Sequence, residues 1–369
     1  MTLPPADRQG RLQPLDALRG IAAFSVLFWH YGGDFDAHPM NRLLMAFYRS
    51  GGFAVAFFFI LSGYVLMHVY GQERRRRHLL ANVGMRAARF GPLQWATLLL
   101  VAGLQAVIVP RLGHAFIYPN NDGWHFLLNL LLLQQTGLQT GYSFNGPSWS
   151  ISVEIWTNIG LFVLLWHTAR PRLALWLLLV VPMIVLIRAG GDILYASTPT
   201  PLDRLLIYGA ACFYGGALLY LYLPPPGRTY RFADPLFFGT AALALLGMAL
   251  RAQIPWARVD LFLTLFAGPA LIYCSQCGPW ARRFLMLAPL QFLGRISFSL
   301  YMMHFSVLCV LWLLAQVVEV NFASRSVLIL YCLAAVGVGD LTSRWVEWPC
   351  YRALAGRLRA GFAGVPTAP

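Results

Sequence analysis

Charge is scarce in this sequence, and lysine is absent from it. Only 11% of the 369 residues are charged, whereas 58% are hydrophobic and the mean hydropathy is +0.60. Soluble domains carry more charge, so this composition excludes an ordinary soluble protein and indicates an integral membrane protein. The apolar runs also lack the alternation of apolar and polar residues that a β-barrel requires. They favour an all-α fold, a polytopic bundle of membrane helices.

The basic residues are all arginine, 28 in number, and they give a formal net charge of +14. A nucleic-acid-binding protein would gather this charge on one soluble face, whereas the arginines lie mostly in short loops between apolar runs. We therefore interpret the charge as a signal of membrane orientation and expect no nucleic-acid partner. A GC-rich genome that favours arginine codons explains the missing lysine better than a demand at each site.

The sequence contains few cysteines, and it has no clear signal for a cleavable leader. Six cysteines lie mostly in or beside apolar runs, where a free thiol behaves as a small hydrophobe. Cys274 and Cys277 have a spacing found in metal sites, but a zinc site needs four ligands and no second pair appears. We predict no disulfide framework and no metal. The first apolar run lacks a cleavage site of small residues, so we expect a retained helix rather than a signal peptide.

Ten apolar segments are predicted to span the membrane. They are residues 15–31, 53–71, 91–110, 148–166, 173–190, 205–223, 235–250, 259–276, 289–315 and 326–345. The run from Trp124 to Gln135 is only about twelve residues long, which is too short to span comfortably, and we expect it to be re-entrant or interfacial.

The arginine-rich loops predict the topology. If 124–135 does not span, most of these loops, including Arg74–Arg77, share one side of the membrane with the N-terminus. The positive-inside rule makes that side cytoplasmic and places both termini there. We therefore predict one membrane domain over residues 15–352 in a bacterial inner membrane, with cytoplasmic segments at 1–14 and 353–369.

Polar groups inside the first predicted helix need an explanation. Asp16 and Arg19 are one turn apart and can satisfy each other, but His30 lies about 16 Å farther along the helix. An ionisable group at this depth is a functional candidate. The alternative for His30 is a histidine that is hydrogen-bonded near the outer interface beside two aromatic residues.

Two later apolar runs also carry polar stripes. Ser150 and Glu154 share a helical face, so Glu154 can accept a proton, orient an imidazole or hold neighbouring helices together. Ser297, Tyr301 and His304 form a second stripe, in which His304 is either catalytic or simply packed and hydrogen-bonded.

Three charged positions lie nearer the ends of the predicted helices. Arg86 and Arg89 are three residues apart and form a fork that suits phosphate or pyrophosphate oxygens. Glu347 follows the last predicted span. The run Arg74–Arg77 is explained more simply as a topology signal or a contact with anionic membrane lipids.

Six segments together resemble the membrane acyltransferase-3 family of bacterial O-acyltransferases. They are LDALRGIAAFSVLFWH (15–30), FFFILSGYVL (57–66), MRAARFGPL (85–93), SWSISVE (148–154), GRISFSLYMMH (294–304) and VEWP (346–349). The resemblance implies a ten-helix bundle that moves an acyl group from cytoplasmic acyl-CoA, with acetyl-CoA the first choice, to a hydroxyl group, commonly of a carbohydrate such as a polysaccharide. It also implies that the family's essential residues fall on Arg19, His30, Arg86, Arg89 and Glu347.

Acyl transfer to a hydroxyl suits these residue types, because a hydroxyl needs a base and histidine can serve as one at neutral pH. We predict His30 as the base and Arg86, Arg89 and Arg19 as the anchor for the CoA phosphates. Glu154 or Glu347 is the predicted group that orients the imidazole. Whether His30 removes a proton or carries the acyl group transiently stays open. We expect the imidazole and the arginine fork to border one cavity.

A transporter or flippase of a polar or lipid-linked substrate is the alternative function. Polar residues inside a bundle also line substrate paths. That function would favour inverted repeats and broken helices, and the sequence shows no convincing repeat.

Overall fold

The computed structural model describes residues 12–71, 78–113, 118–168, 170–188, 203–225, 228–251, 253–254, 259–260 and 262–361. These residues form helices and turns without a strand. The helices are α1 (Gln13–Phe35), α2 (Asn41–Tyr48), α3 (Gly51–Tyr70), α4 (Leu79–Leu112), α5 (Gly123–Leu130), α6 (Trp149–His167), α7 (Pro171–Arg188), α8 (Arg204–Tyr222), α9 (Ala233–Ala249), α10 (Gly268–Cys277), α11 (Pro279–Leu285), α12 (Ala288–Leu314), α13 (Arg325–Thr342) and α14 (Trp348–Gly361). The arginine run 74–77 and residues 1–11 lie outside the described residues.

Each of the ten predicted spans overlaps a helix in the described part of the chain, which confirms a helical membrane bundle. Six helices in the described ranges are long and apolar enough to cross a membrane: Gly51–Tyr70, Leu79–Arg111, Gly146–His167, Arg204–Tyr222, Ala288–Leu314 and Arg325–Gly361. Three shorter apolar helices are Pro171–Val181, Ala233–Ala249 and Leu263–Cys277. Helix α1 belongs to neither group, but its 23 residues extend about 34 Å, enough to cross a hydrocarbon core.

The segment after α4 contains a short helix and an irregular return. Helix α5 has eight residues, about 12 Å, and so cannot cross the membrane. Asp122 caps its first turn, and hydrogen bonds from the backbone amide and the ring of His125 lower the pKa of the Asp122 carboxyl. The return is held by buried side chains, including Asn129, which donates to Ser143 at 2.7 Å. Irregular backbone is tolerated at membrane depth where protein surrounds it.

Glycine brings the central helices into close contact. A Cβ atom on Gly294 of α12 would lie 2.5 Å from the carbonyl oxygen of Asp16 on α1, and a Cβ atom on Gly20 would lie 2.5 Å from the Gly294 nitrogen. Gly63 and Gly216 bring α3 and α8 together in the same way. Close approach through small residues is a common way to pack membrane helices. The α1–α12 pair carries both histidine candidates.

The last helices of the bundle are interrupted by an irregular turn. Residues Ser343–Glu347 form a π-helical turn between α13 and α14, and such turns often occur at functional sites. Helix α14 then continues to Gly361, past the predicted domain boundary at residue 352. Leu358 of α14 packs beside Gly84 of α4, so the described part of the predicted tail is helical and packed.

Candidate active site

A cavity of about 80 Å³ lies where α1, α3, α4, α6 and α12 meet. Its polar lining consists of Arg19, Ser62, Arg86, Arg89, Ser150, Glu154, Ser297 and Tyr301, and aromatic and aliphatic side chains complete it. The cavity has room for several water molecules. The structure thus brings together four of the predicted site residues, the three arginines and Glu154.

Arg86 and Glu154 form an ion pair in the cavity wall. An Arg86 terminal nitrogen donates to Glu154 Oε1 at 2.9 Å, and the Ser62 hydroxyl donates to the same oxygen at 2.7 Å. Both charged side chains are largely buried, at 18% and 17% exposure. The pair joins α4 to α6, with α3 supplying the hydroxyl, so Glu154 serves an arginine rather than an imidazole.

Arg89 and Glu347 form a second and more deeply buried pair. Arg89 donates to one oxygen of Glu347, and the Ser299 hydroxyl donates to the other. The Glu347 side chain is 1% exposed. The guanidinium lies over the rings of Phe298 and Trp348, at 5.3 and 5.0 Å from their centroids. The π-helical turn places Glu347 where α4, α12 and α14 converge.

Arg19 completes the set of cations. It pairs with the carboxylate of Asp16, 3.9 Å away on the same helix, as the i, i+3 spacing predicts. Each of the three cavity arginines therefore has one carboxylate partner, so the cationic and anionic charges around the cavity nearly balance.

Tyr301 closes the cavity on the side of the histidines. Its hydroxyl donates to the carbonyl oxygen of Pro147 at 3.0 Å and lies 2.9 Å from the Ser150 hydroxyl. His304 is one helical turn farther along α12, and His30 is not among the cavity-lining residues. This cavity therefore does not extend to His30, although we expected one cavity to border both the imidazole and the arginine fork. Tyr301 contacts both regions, since it lines the cavity and its ring centroid lies 5.8 Å from that of His304.

His30 faces the interior of the bundle. Its ring centroid lies 5.0 Å from that of His304 and 5.6 Å from that of Phe305, and the residue is 8% exposed. Its Nδ1 atom lies 3.2 Å from a carboxylate oxygen of Asp34. Asp34 thus stands where Glu154 or Glu347 was expected. The sequence signal for Asp34 was its position four residues after His30, which puts both side chains on one helical face.

The Asp34 contact determines which nitrogen of His30 is free. An ionised carboxylate only accepts hydrogen bonds, so Nδ1 carries the proton in the neutral ring and Nε2 presents a lone pair. This is the tautomer that a general base requires, with the carboxylate able to stabilise the imidazolium that forms.

His304 is fully buried and is held in the same tautomer by a different partner. Its Nδ1 atom lies 2.6 Å from the backbone carbonyl oxygen of Tyr301. Its Nε2 atom is buried and has no hydrogen-bond partner. Among the described residues no group of three or more histidine, cysteine or acidic side chains could hold a metal ion.

Comparison with known proteins finds similar acyltransferases. The profile of a family described as an acyltransferase domain matches residues 13–344. The chain is 33% identical over 157 residues to the acyltransferase MdmB of Streptomyces mycarofaciens, covering 41% of this chain and 38% of MdmB. It is 23% identical over 334 residues to the O-acetyltransferase OatA of Staphylococcus aureus, covering 80% of this chain and 50% of OatA. The matches thus span half or less of these relatives' lengths. No solved structure matches significantly.

Proposed function

Because the chain belongs to the acyltransferase-3 family, we propose that it is an integral-membrane O-acyltransferase. It moves an acyl group, acetyl in the first instance, from acyl-CoA to a hydroxyl group of a carbohydrate or glycoconjugate. The observation that carries the proposal is the arrangement of charged groups around Tyr301. Three arginines line a cavity on one side of Tyr301, and an imidazole paired with a carboxylate lies on the other side.

The proposed reaction uses His30 as a general base. The acceptor O–H gives its proton to His30 Nε2, and the oxygen attacks the carbonyl carbon of the thioester. The C–S bond then breaks, and the leaving thiolate takes the proton from the imidazolium. The products are an ester and free CoA thiol, and His30 returns to its starting form. General base catalysis of this kind contributes typically 10²- to 10⁴-fold.

The arginines are the proposed anchor for the donor. Arg86 and Arg89 each direct a nitrogen to a carboxylate, but a guanidinium has five N–H groups in a planar fork. The remaining N–H groups suit the phosphate oxygens of CoA, and the buried Nε of Arg86 has no protein partner. The acyl end then points toward Tyr301, whose side chain must move for the thioester to reach His30.

Orientation in the membrane follows from the same proposal. Acyl-CoA is a cytoplasmic donor, so the arginine end of the cavity faces the cytoplasm. With ten spans, an even number, we propose that both termini lie on that side of a bacterial inner membrane.

Donor binding tests the proposal. Purified protein is incubated with radiolabelled acetyl-CoA, and retention is compared among the parent, Arg86→Ala, Arg89→Ala and Arg344→Ala. Arg344 is a matched control because its side chain is 67% exposed and it pairs only within its own helical region with Asp340. We expect retention to be at least tenfold weaker in Arg86→Ala and Arg89→Ala than in the parent. The control Arg344→Ala should retain as much label as the parent. Equal retention in all four proteins, or none in the parent, contradicts the proposal.

A further inference from the structure

The Nε2 atom of His304 is an acceptor without a donor. The Tyr301 carbonyl can only accept, so at 2.6 Å it requires the proton of the neutral ring on Nδ1. Nε2 then offers a lone pair, yet it is buried and unpartnered. Buried polar atoms in native structures nearly always have a partner. A cationic ring would instead bury an extra charge, which is more costly still.

His30 cannot supply the missing donor. Its own proton lies on Nδ1, toward Asp34, so its Nε2 is also an acceptor. Two imidazoles whose ring centroids are 5.0 Å apart therefore each carry an Nε2 lone pair, and neither ring can donate to the other through Nε2. The buried Nε2 of His304 therefore needs an O–H or N–H group from something that enters the site, and in the proposed reaction His30 Nε2 receives the hydroxyl that is acylated.

We infer that the acceptor presents two neighbouring hydroxyl groups, one to each histidine, and is therefore a vicinal diol. This inference rests on the proposed function and narrows its substrate class. The hydroxyl on His30 Nε2 is the one that loses its proton and is acylated. The adjacent hydroxyl donates to His304 Nε2 and keeps its proton, so His304 binds and orients the acceptor without taking part in proton transfer.

The two rings are close enough for one small acceptor to meet both, since their centroids are 5.0 Å apart. A hydrogen bond from a hydroxyl spans about 2.5–3.2 Å between heavy atoms, and adjacent hydroxyls of a sugar ring point to neighbouring positions. A simple alcohol would satisfy only one of the two lone pairs and would leave the other buried and unpaired.

Two substitutions distinguish the contributions of the two nitrogen atoms of His304. In His304→Asn the side-chain amide can still donate to the Tyr301 carbonyl, but no atom reaches the position of Nε2. In His304→Gln the longer side chain can place its carbonyl oxygen near that position and so keep an acceptor there. Retention of radiolabelled acetyl-CoA reports whether each variant is folded.

The experiment measures transfer of labelled acetyl groups to methyl mannopyranoside and to its 3-deoxy and 2,4-dideoxy analogues, which have no two hydroxyl groups on adjacent carbons. We expect the parent to favour the intact diol by about 10- to 100-fold in kcat/KM, the size of a buried hydrogen bond with an unsatisfied partner. His304→Asn should lose this preference, mainly through slower transfer to the diol, and His304→Gln should retain part of it.

Different failures have different meanings. A parent protein that acetylates the diol and the deoxy analogues equally well overturns the inference and leaves the proposed function standing. An Asn variant that retains labelled acetyl-CoA and keeps the full preference also overturns it. A parent that transfers no label to any hydroxyl compound in the set contradicts the proposed function itself.

Discussion

Removing the carboxylate of Glu347 should destabilise the protein strongly. The side chain is 1% exposed and accepts hydrogen bonds from both Arg89 and Ser299. Glu347→Ala leaves the Arg89 guanidinium without its counter-ion among aromatic rings, and breaking a buried pair in this way costs about 3–5 kcal/mol. With an unfolding entropy of about 2.1 cal/mol/K per residue, the 369 residues give a fall in Tm of roughly 4–7 °C.

Thermal unfolding in detergent, followed by tryptophan fluorescence, measures this effect. Arg344→Ala is the matched control, because it breaks an arginine–carboxylate pair of 2.7 Å whose arginine is 67% exposed. An exposed pair contributes at most about 1 kcal/mol, or roughly 1 °C. The double variant Arg89→Met/Glu347→Leu should recover most of the lost Tm, since no charge is left unpaired. A Glu347→Ala variant as stable as the Arg344→Ala control refutes the reasoning.

Three further predictions address other parts of the molecule. Asp34→Asn should lower the rate of acyl transfer by about 10³- to 10⁴-fold with acetyl-CoA retention unchanged, because an amide no longer holds the proton on His30 Nδ1. The control is Asp36→Asn, at an exposed position two residues later, and equal single-turnover rates for the two variants would contradict the prediction. Gly294→Ala should cost about 1–3 kcal/mol through overpacking against α1, whereas Gly337→Ala, with open space around it, should be neutral or slightly stabilising; equal Tm values contradict this. The pKa of Asp122 is lowered in the folded state, so the stabilisation of α5 by this N-cap is fully present above the unfolded pKa and is lost as pH falls through the lower pKa of the folded state. Amide hydrogen exchange at the start of α5, corrected for its intrinsic rate, should therefore become faster over that acidic range in the parent and should not change in Asp122→Ala.

The fold could be predicted closely because hydropathy determines which segments span. The length of the run 124–135 alone indicated that it does not cross the membrane, and α5 is indeed only eight residues long. The π-helical turn before α14 had no such signal. A single extra residue in a turn changes no local composition, so the inward direction of Glu347 could not be read from its spacing.

The partners within the candidate site were harder to predict than its members. Arg86 and Glu154 are 68 residues apart in sequence, and Arg89 and Glu347 are 258 apart, so no helical periodicity links them. Packing of distant helices decides which carboxylate meets which arginine. Asp34 is the opposite case, because its position four residues after a histidine on one helix made the contact predictable from local geometry.

Tyr301 shows a further limit of sequence reasoning. Its place on the stripe with His304 was predictable from spacing, but its hydroxyl contacts Pro147 and Ser150, which belong to the irregular return before α6 and to the first turn of that helix. The separation between the arginine cavity and His30 depends on that tertiary contact.

Single-turnover transfer by His30→Gln tests the proposed catalytic role most directly. The glutamine amide fills much of the imidazole volume but cannot take a proton from the acceptor hydroxyl. We predict that the variant retains radiolabelled acetyl-CoA as the parent does and transfers the acetyl group about 10²- to 10⁴-fold more slowly. A variant that retains the donor and transfers at the parent rate contradicts the assignment of His30 as the base.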